Sequence, residues 1–127
     1  MSIDEKNADV WNNKGVALFK LRKYNRAIGC FDEAIKLKQD YQDPWINKGI
    51  IFDKRGEYRK AIKCYDEAIK LKRDYHLAWN NKGTALGKLG EHKKAIDCFE
   101  EAIRIKPEYT GAEKALELVR KAKSEKE

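Results

Sequence analysis

"VWNNKGVALFKL" occupies Val10 to Leu21, and near-copies return as "PWINKGIIFDKR" from Pro44 to Arg55 and "AWNNKGTALGKL" from Ala78 to Leu89. Trp11, Trp45 and Trp79 mark one place in each copy, 34 residues apart. A period of this size marks a repeat array, in which each unit is one supersecondary element that needs its neighbours to bury its apolar face. Trp11, Gly15 and Leu18 stand at i, i+4 and i+7, so the stretch reads as an amphipathic helix with those three on one face.

The second half of each unit is helical as well. "KYNRAIGCFDEAIKLKQDY", "EYRKAIKCYDEAIKLKRDY" and "EHKKAIDCFEEAIRIKPEY" place Ala27/Phe31/Ala34, Ala61/Tyr65/Ala68 and Ala95/Phe99/Ala102 at one spacing. Ile28, Ile35 and Leu37, with their counterparts, complete an apolar face on a helix of about 14 residues. Each unit is therefore two helices joined by a short turn. Gly56 and Gly90 fall where a left-handed residue closes a helix. Arg22 holds that place in the first unit and predicts a different closure there. Asp43-Pro44 reads as a cap followed by a proline at the first helical position. Pro107 ends the third unit; Gln39 and Arg73 at its place predict that the first two units' second helices run further. Gly15, Gly49 and Gly83, with the paired alanines, are expected where backbones approach. The tryptophans and the Phe31/Tyr65/Phe99 aromatics are expected to fill the space between stacked units.

The remaining composition excludes more than it assigns. The 127 residues suit one compact domain or a short array, and a hydrophobic fraction of 42% suffices for a core if periodically arranged. No apolar run reaches the roughly 18 residues that span a membrane. "MSIDEKNADV" lacks the layout of a signal peptide. A soluble, cytoplasmic protein is expected. The net charge of +7 is spread as +3, +3 and +1 over residues 8–41, 42–75 and 76–109, with acids interleaved throughout. That is a solvated, ion-paired face and not a basic arm. Cys30, Cys64 and Cys98 also recur at 34 residues, one per unit. Such separation forbids a disulfide or shared metal ligation, so they read as small packing residues.

A tryptophan four residues before a glycine, then A-x3-[FY]-x2-A, at a 34-residue period resembles the tetratricopeptide repeat over about residues 8–109. Lys14, Lys48 and Lys82 replace that family's leucine, where their stems can still pack. Leu18, Phe52 and Leu86 replace its tyrosine. The resemblance implies an all-α fold: a right-handed α-solenoid of three helix-turn-helix units, 8–41, 42–75 and 76–109, with a terminal solvating helix. Thr110 and Glu113 read as a capping box. Ala112, Ala115, Leu116 and Val119 form one stripe of that terminal helix over 110–123, leaving 124–127 as a tail. Residues 1–7 are a tail or the stub of a preceding repeat, since Ile3 aligns with Leu37, Leu71 and Ile105.

At about 100° per residue, Asn13 points roughly 200° away from Trp11. Asp9, Val16 and Lys20 share its direction. The second unit repeats this with Asp43, Asn47, Ile50 and Lys54, and the third with Leu77, Asn81, Thr84 and Lys88. In the family these positions line a concave groove, where asparagines hydrogen-bond the main chain of an extended peptide. The resemblance therefore implies a peptide-binding site of Asn13, Asn47, Asn81, Val16, Ile50, Thr84, Lys20, Lys54, Lys88, Asp9 and Asp43. The lysine row favours acidic groups on the partner. Helix–helix hydrogen bonding is the other reading of the three asparagines. The family's two-carboxylate clamp for chaperone tails is absent, because Asn12, Val16, Asn47, Leu77 and Asn81 stand at its places and only Asn47 matches.

Catalysis is not expected. The only serines, Ser2 and Ser124, lie in the termini, His76 and His92 sit at the ends of different helices, and no phosphate loop appears. No cofactor or metal is expected. A non-catalytic interaction scaffold is the leading reading. Self-association through the uncapped first repeat, and RNA binding by a helical repeat, are the alternatives.

Overall fold

A computed structural model describes residues 6–126 of the chain. Most of the stub over residues 1–7 lies outside the described residues. Seven helices follow one another: α1 (Ala8–Lys20), α2 (Tyr24–Leu37), α3 (Asp43–Lys54), α4 (Tyr58–Leu71), α5 (His76–Lys88), α6 (His92–Ile105) and α7 (Thr110–Lys126). Pairs α1/α2, α3/α4 and α5/α6 stack side by side as an α-solenoid, and α7 lies against α6.

Asn7 caps α1, its side chain accepting from the Asp9 N–H at 2.9 Å and the Val10 N–H at 3.4 Å. The expected cap at Asp43 sits one place too late: α3 begins at Asp43, and Gln42 before it makes no side-chain cap bond. All three second helices end at the equivalent residue, Leu37, Leu71 or Ile105. Gln39 and Arg73 do not lengthen them. Lys38 and Lys72 have already turned out of helical geometry, with φ of −139° and −148°, because the chain must reverse to start the next unit. The terminal helix is longer than expected and continues to Lys126.

The turn inside each unit is closed by two backbone bonds that satisfy last-turn carbonyls. Lys23 N–H donates to Leu18 O at 2.9 Å and Arg22 N–H to Phe19 O at 2.8 Å. Glu57 and Gly56 repeat this in the second unit, Glu91 and Gly90 in the third. Contrary to the sequence expectation, Arg22 closes its turn as the glycines do, at φ 61° beside 77° for Gly56 and 81° for Gly90. A left-handed arginine is strained by about 1–2 kcal/mol, while glycine gives back part of that through unfolded-chain entropy. Arg22→Gly is therefore expected to raise the unfolding free energy by about 0.5–1 kcal/mol in urea titration.

The core is continuous because each unit's cluster is completed by the next unit. Leu18, Ala27, Cys30 and Phe31 enclose Ile51 of α3, and Ala61, Tyr65 and Ala68 enclose Ala78 and Ala85 of α5. Leu86, Ala95 and Phe99 enclose Leu116 of α7. The glycines have a different purpose from the one expected: a Cβ on Gly15, Gly49 or Gly83 would meet the ring of Phe31, Tyr65 or Phe99, not a neighbouring backbone. The tryptophans are only half-buried. Lysine ammoniums lie over their rings, Lys14 on Trp11 at 5.4 Å, Lys48 on Trp45 at 5.1 Å and Lys82 on Trp79 at 5.9 Å. Lys48 and Lys82 also reach back to Asp32 and Asp66 of the preceding unit, each at 2.7 Å.

The three thiols are buried and free. Burial pushes Cys64 and Cys98 from 9.0 up to about 11. Burial, then the hydrogen bond to Asp53, raises Tyr65 further still. These groups hold their protons to higher pH in the native state than in the unfolded chain. Their contribution is thus intact below pH 9 and is lost as the pH climbs through about 11. The melting temperature, followed by circular dichroism, is expected to fall steadily across that window.

Candidate functional site

The faces of α1, α3 and α5 turned away from the tryptophans line a series of recesses. The first, of about 160 Å³, is walled by Val16, Phe19, Phe31 and Ile50, with Lys20 and Asn47 at its polar edge. The second, about 340 Å³, lies one unit on and is lined by Ile50, Asp53, Lys54, Tyr65, Asn81, Thr84 and Lys88. A third, about 240 Å³, is formed by Thr84, Gly87 and Lys88 with Ala115, Leu118 and Val119 of α7. A fourth, about 230 Å³, opens at the N-terminal ends of the helices between Asn12, Asp43, Ile46, Asn47 and Tyr75.

Most of the sequence-derived site residues meet here: Val16, Lys20, Asn47, Ile50, Lys54, Asn81, Thr84, Lys88 and Asp43 all line one or more of these recesses. Asn13 is exposed and lines none of the four. Asp9 lies outside them too. The Tyr41 hydroxyl near it is pushed up to about 12 by burial and then by Asp9.

Two side chains are partly committed elsewhere. Asn47 Nδ2 donates to Oδ1 of Asn12 at 3.1 Å, and Asn12 is only 6% exposed. This ties α3 to α1, leaving Asn47 Oδ1 as the free acceptor of that amide. Thr84 donates its hydroxyl to the Asn80 carbonyl at 3.1 Å, so its methyl is what it offers the groove.

Sequence reading passed over Phe31 as a recess wall, and over the Asp53–Tyr65 pair. The Tyr65 hydroxyl donates to Asp53 Oδ2, while Oδ1 is buried without a hydrogen-bond partner. Burial raises the Asp53 pKa, and the Tyr65 bond and Lys88 pull it back. A signal was present: the only unit with tyrosine in place of Phe31 and Phe99 is also the only one with an acid in place of Phe19 and Gly87. The lysine row is intact: Lys20, Lys54 and Lys88 are exposed, with Lys54 lying 5.8 Å over Phe19 and Lys88 5.3 Å over Tyr58.

The fold has close counterparts. The first tetratricopeptide domain of Spaghetti (RPAP3), solved with the HSP90 peptide SRMEEVD, matches with a TM-score of 0.89 at 23% identity, covering 96% of this chain and 97% of that one. The second such domain of human RPAP3, in complex with the HSP70 peptide SGPTIEEVD, gives 0.82 at 28% identity, over 87% and 92%. MamA gives 0.87 at 26% identity, over 95% and 71%. No curated protein sequence matches the chain. Among the described residues no helix is long and apolar enough to cross a membrane. The family model for the tetratricopeptide repeat matches residues 8–41, 43–75 and 76–109, and with all three units accounted for the chain belongs to the tetratricopeptide repeat family.

Proposed function

We propose that the chain is a non-catalytic interaction module that holds an extended segment of a partner protein along the face lined by α1, α3 and α5. The observation that carries this reading is the continuity of its first two recesses. Ile50 belongs to both, so one bound chain can set an apolar side chain among Val16, Phe19 and Ile50 and pass on to Lys54, Asn81 and Lys88. Asn47 Oδ1 and the Asn81 amide supply partners for main-chain groups without dictating the ligand's side chains. The exposed lysines favour an acidic residue beside the apolar anchor. Without the two-carboxylate clamp, that acid belongs to a side chain and not to a chain end.

The solved relatives with peptides support the mode and not the ligand. In those complexes the peptides end in EEVD, whereas Val16, Leu77 and Asn81 stand here at three of the clamp places. Amide contacts contribute about 0.5–1.5 kcal/mol each, so short peptides should bind in the micromolar range.

Selection from a library of random linear peptides with blocked C-termini tests the reading. The selected peptides are expected to carry an apolar residue near an acid. Asn81→Ala should weaken the best of them about fivefold, and Lys54→Glu at least tenfold, by fluorescence polarisation. Binding untouched by both substitutions would remove the groove from consideration. Asn47→Ala is the less clean variant, because it also strips the buried Asn12 of its donor and is expected to destabilise the fold by about 1–3 kcal/mol.

A further inference from the structure

Helices α3 and α5 each set a stripe against the unit before them: Pro44, Lys48 and Ile51 in α3 and Ala78, Lys82 and Ala85 in α5, with the exposed Arg55 and the half-buried Leu89 at the next place. Ile51 and Ala85 are 0% exposed. Arg55 reaches back to Asn25 and lies over the Tyr24 ring. The same stripe on α1 is Val10, Lys14, Ala17 and Leu21. There Ala17 is exposed and Leu21 is 66% exposed. Lys14 keeps its contact with the Trp11 ring but meets no carboxylate among the described residues, where Lys48 has Asp32 and Lys82 has Asp66.

The surface that fits this stripe appears twice inside the molecule, as α2 carrying Asp32 and as α4 carrying Asp66. The third surface of that kind is α6, with Glu100 at the equivalent place and Ile96 and Ile103 beside it. In the folded chain α7 covers it. That cover is modest: Ala112 and Leu116 are buried, Leu118 stays exposed, and the Arg120–Glu100 pair at 3.1 Å has both side chains more than half exposed. An ion pair so exposed contributes little.

We propose that α1 of one copy docks on α6 of a second copy in place of α7, joining copies head to tail with Lys14 paired to the second copy's Glu100. Charge complementarity selects this arrangement. Two α1 stripes set face to face would oppose Lys14 with Lys14, whereas Lys14 against Glu100 reproduces the Lys48–Asp32 and Lys82–Asp66 pairs already in the fold. The contact is heterologous, so it extends in a line and does not close as a dimer. Because α7 is tethered to its own α6, it competes at high effective concentration, and association requires a concentrated solution. This inference is independent of the groove reading, since the α1 stripe lies outside the recesses.

Analytical ultracentrifugation of the full chain at low salt, from about 10 μM to about 1 mM, is the test. The average mass is expected to climb above 14.8 kDa without levelling at a dimer. Lys14→Glu and Glu100→Lys, each checked for native circular dichroism, should associate at least tenfold more weakly on their own. An equimolar mixture of the two should recover assembly, since every interface then has a complementary pair. Leu116→Asp, which loosens α7, should strengthen association. The proposal fails if the full chain stays at monomer mass throughout, if Lys14→Glu alone assembles as the wild type does, or if Leu116→Asp weakens assembly.

Discussion

Gly49→Ala is expected to destabilise the fold by about 2 kcal/mol, where a methyl group on a helix normally stabilises it. A Cβ at Gly49 would stand 2.4 Å from Tyr65 Cε1, 2.8 Å from Cδ1 and 2.9 Å from Cζ, well inside van der Waals contact. The ring has little freedom to retreat, because Tyr65 is 0% exposed and its hydroxyl is tied to Asp53. Overpacking of this kind costs about 1–3 kcal/mol and occasionally more. Alanine's better helix propensity offsets only about 0.5–1 kcal/mol of it. Gly83→Ala is the internal comparison: its nearest ring atom is 2.7 Å away, and Phe99 has no hydroxyl to anchor it. Thermal melts should show the larger drop for Gly49→Ala, and equal or negligible drops would refute the packing argument. Pairing Gly49→Ala with Tyr65→Leu should recover part of the loss, as expected of two residues that share one contact.

Phe31→Ala should cost about 3–5 kcal/mol, the usual range for a fully buried phenylalanine truncated to alanine. Phe31 is 0% exposed, touches the Gly15 position from α2, and belongs to the cluster that Ile51 of α3 completes. Its loss therefore weakens both the first unit and its junction with the second. Because Phe31 also walls the first recess, the same truncation enlarges the cavity that the proposed anchor residue fills. Urea titration should show the unfolding free energy lowered by that amount, and Phe31→Leu should recover most of it. A Phe31→Ala protein as stable as the wild type would mean that the α1–α2 core does not hold this array together.

Much of the fold was legible because its determinants recur. The tryptophan, glycine, alanine and aromatic positions repeat at fixed spacing, and helical periodicity alone places them on one face. The number of units and the helix pairing follow from that, and the terminal helix follows from its own capping box and the stripe of Ala112, Ala115, Leu116 and Val119. Less legible were details fixed by neighbours. Arg22 takes a glycine's conformation because closing α1 at that place outweighs its own preference, and no property of arginine announces this. The lysines at 14, 48 and 82 set their ammoniums over the tryptophan rings, and the bonds of Lys48 to Asp32 and Lys82 to Asp66 depend on how far one unit rotates against the next. The candidate groove was readable as a list of outward positions, yet the list did not say which asparagine was already occupied.

The order of residues along the chain determined the repeat, the two-helix unit and the face each side chain takes, because those depend on spacing within a few turns of one helix. Tertiary packing alone decided that Asn47 shares its amide with Asn12, that Tyr65 donates to Asp53, and that Val16, Phe19, Phe31 and Ile50 close on a common recess. Each of these joins residues on different helices, whose separation depends on how the rings of Phe31, Tyr65 and Phe99 fill the space above the three glycines and on how one unit packs against the next. Spacing along one strand of sequence carries no measure of that distance.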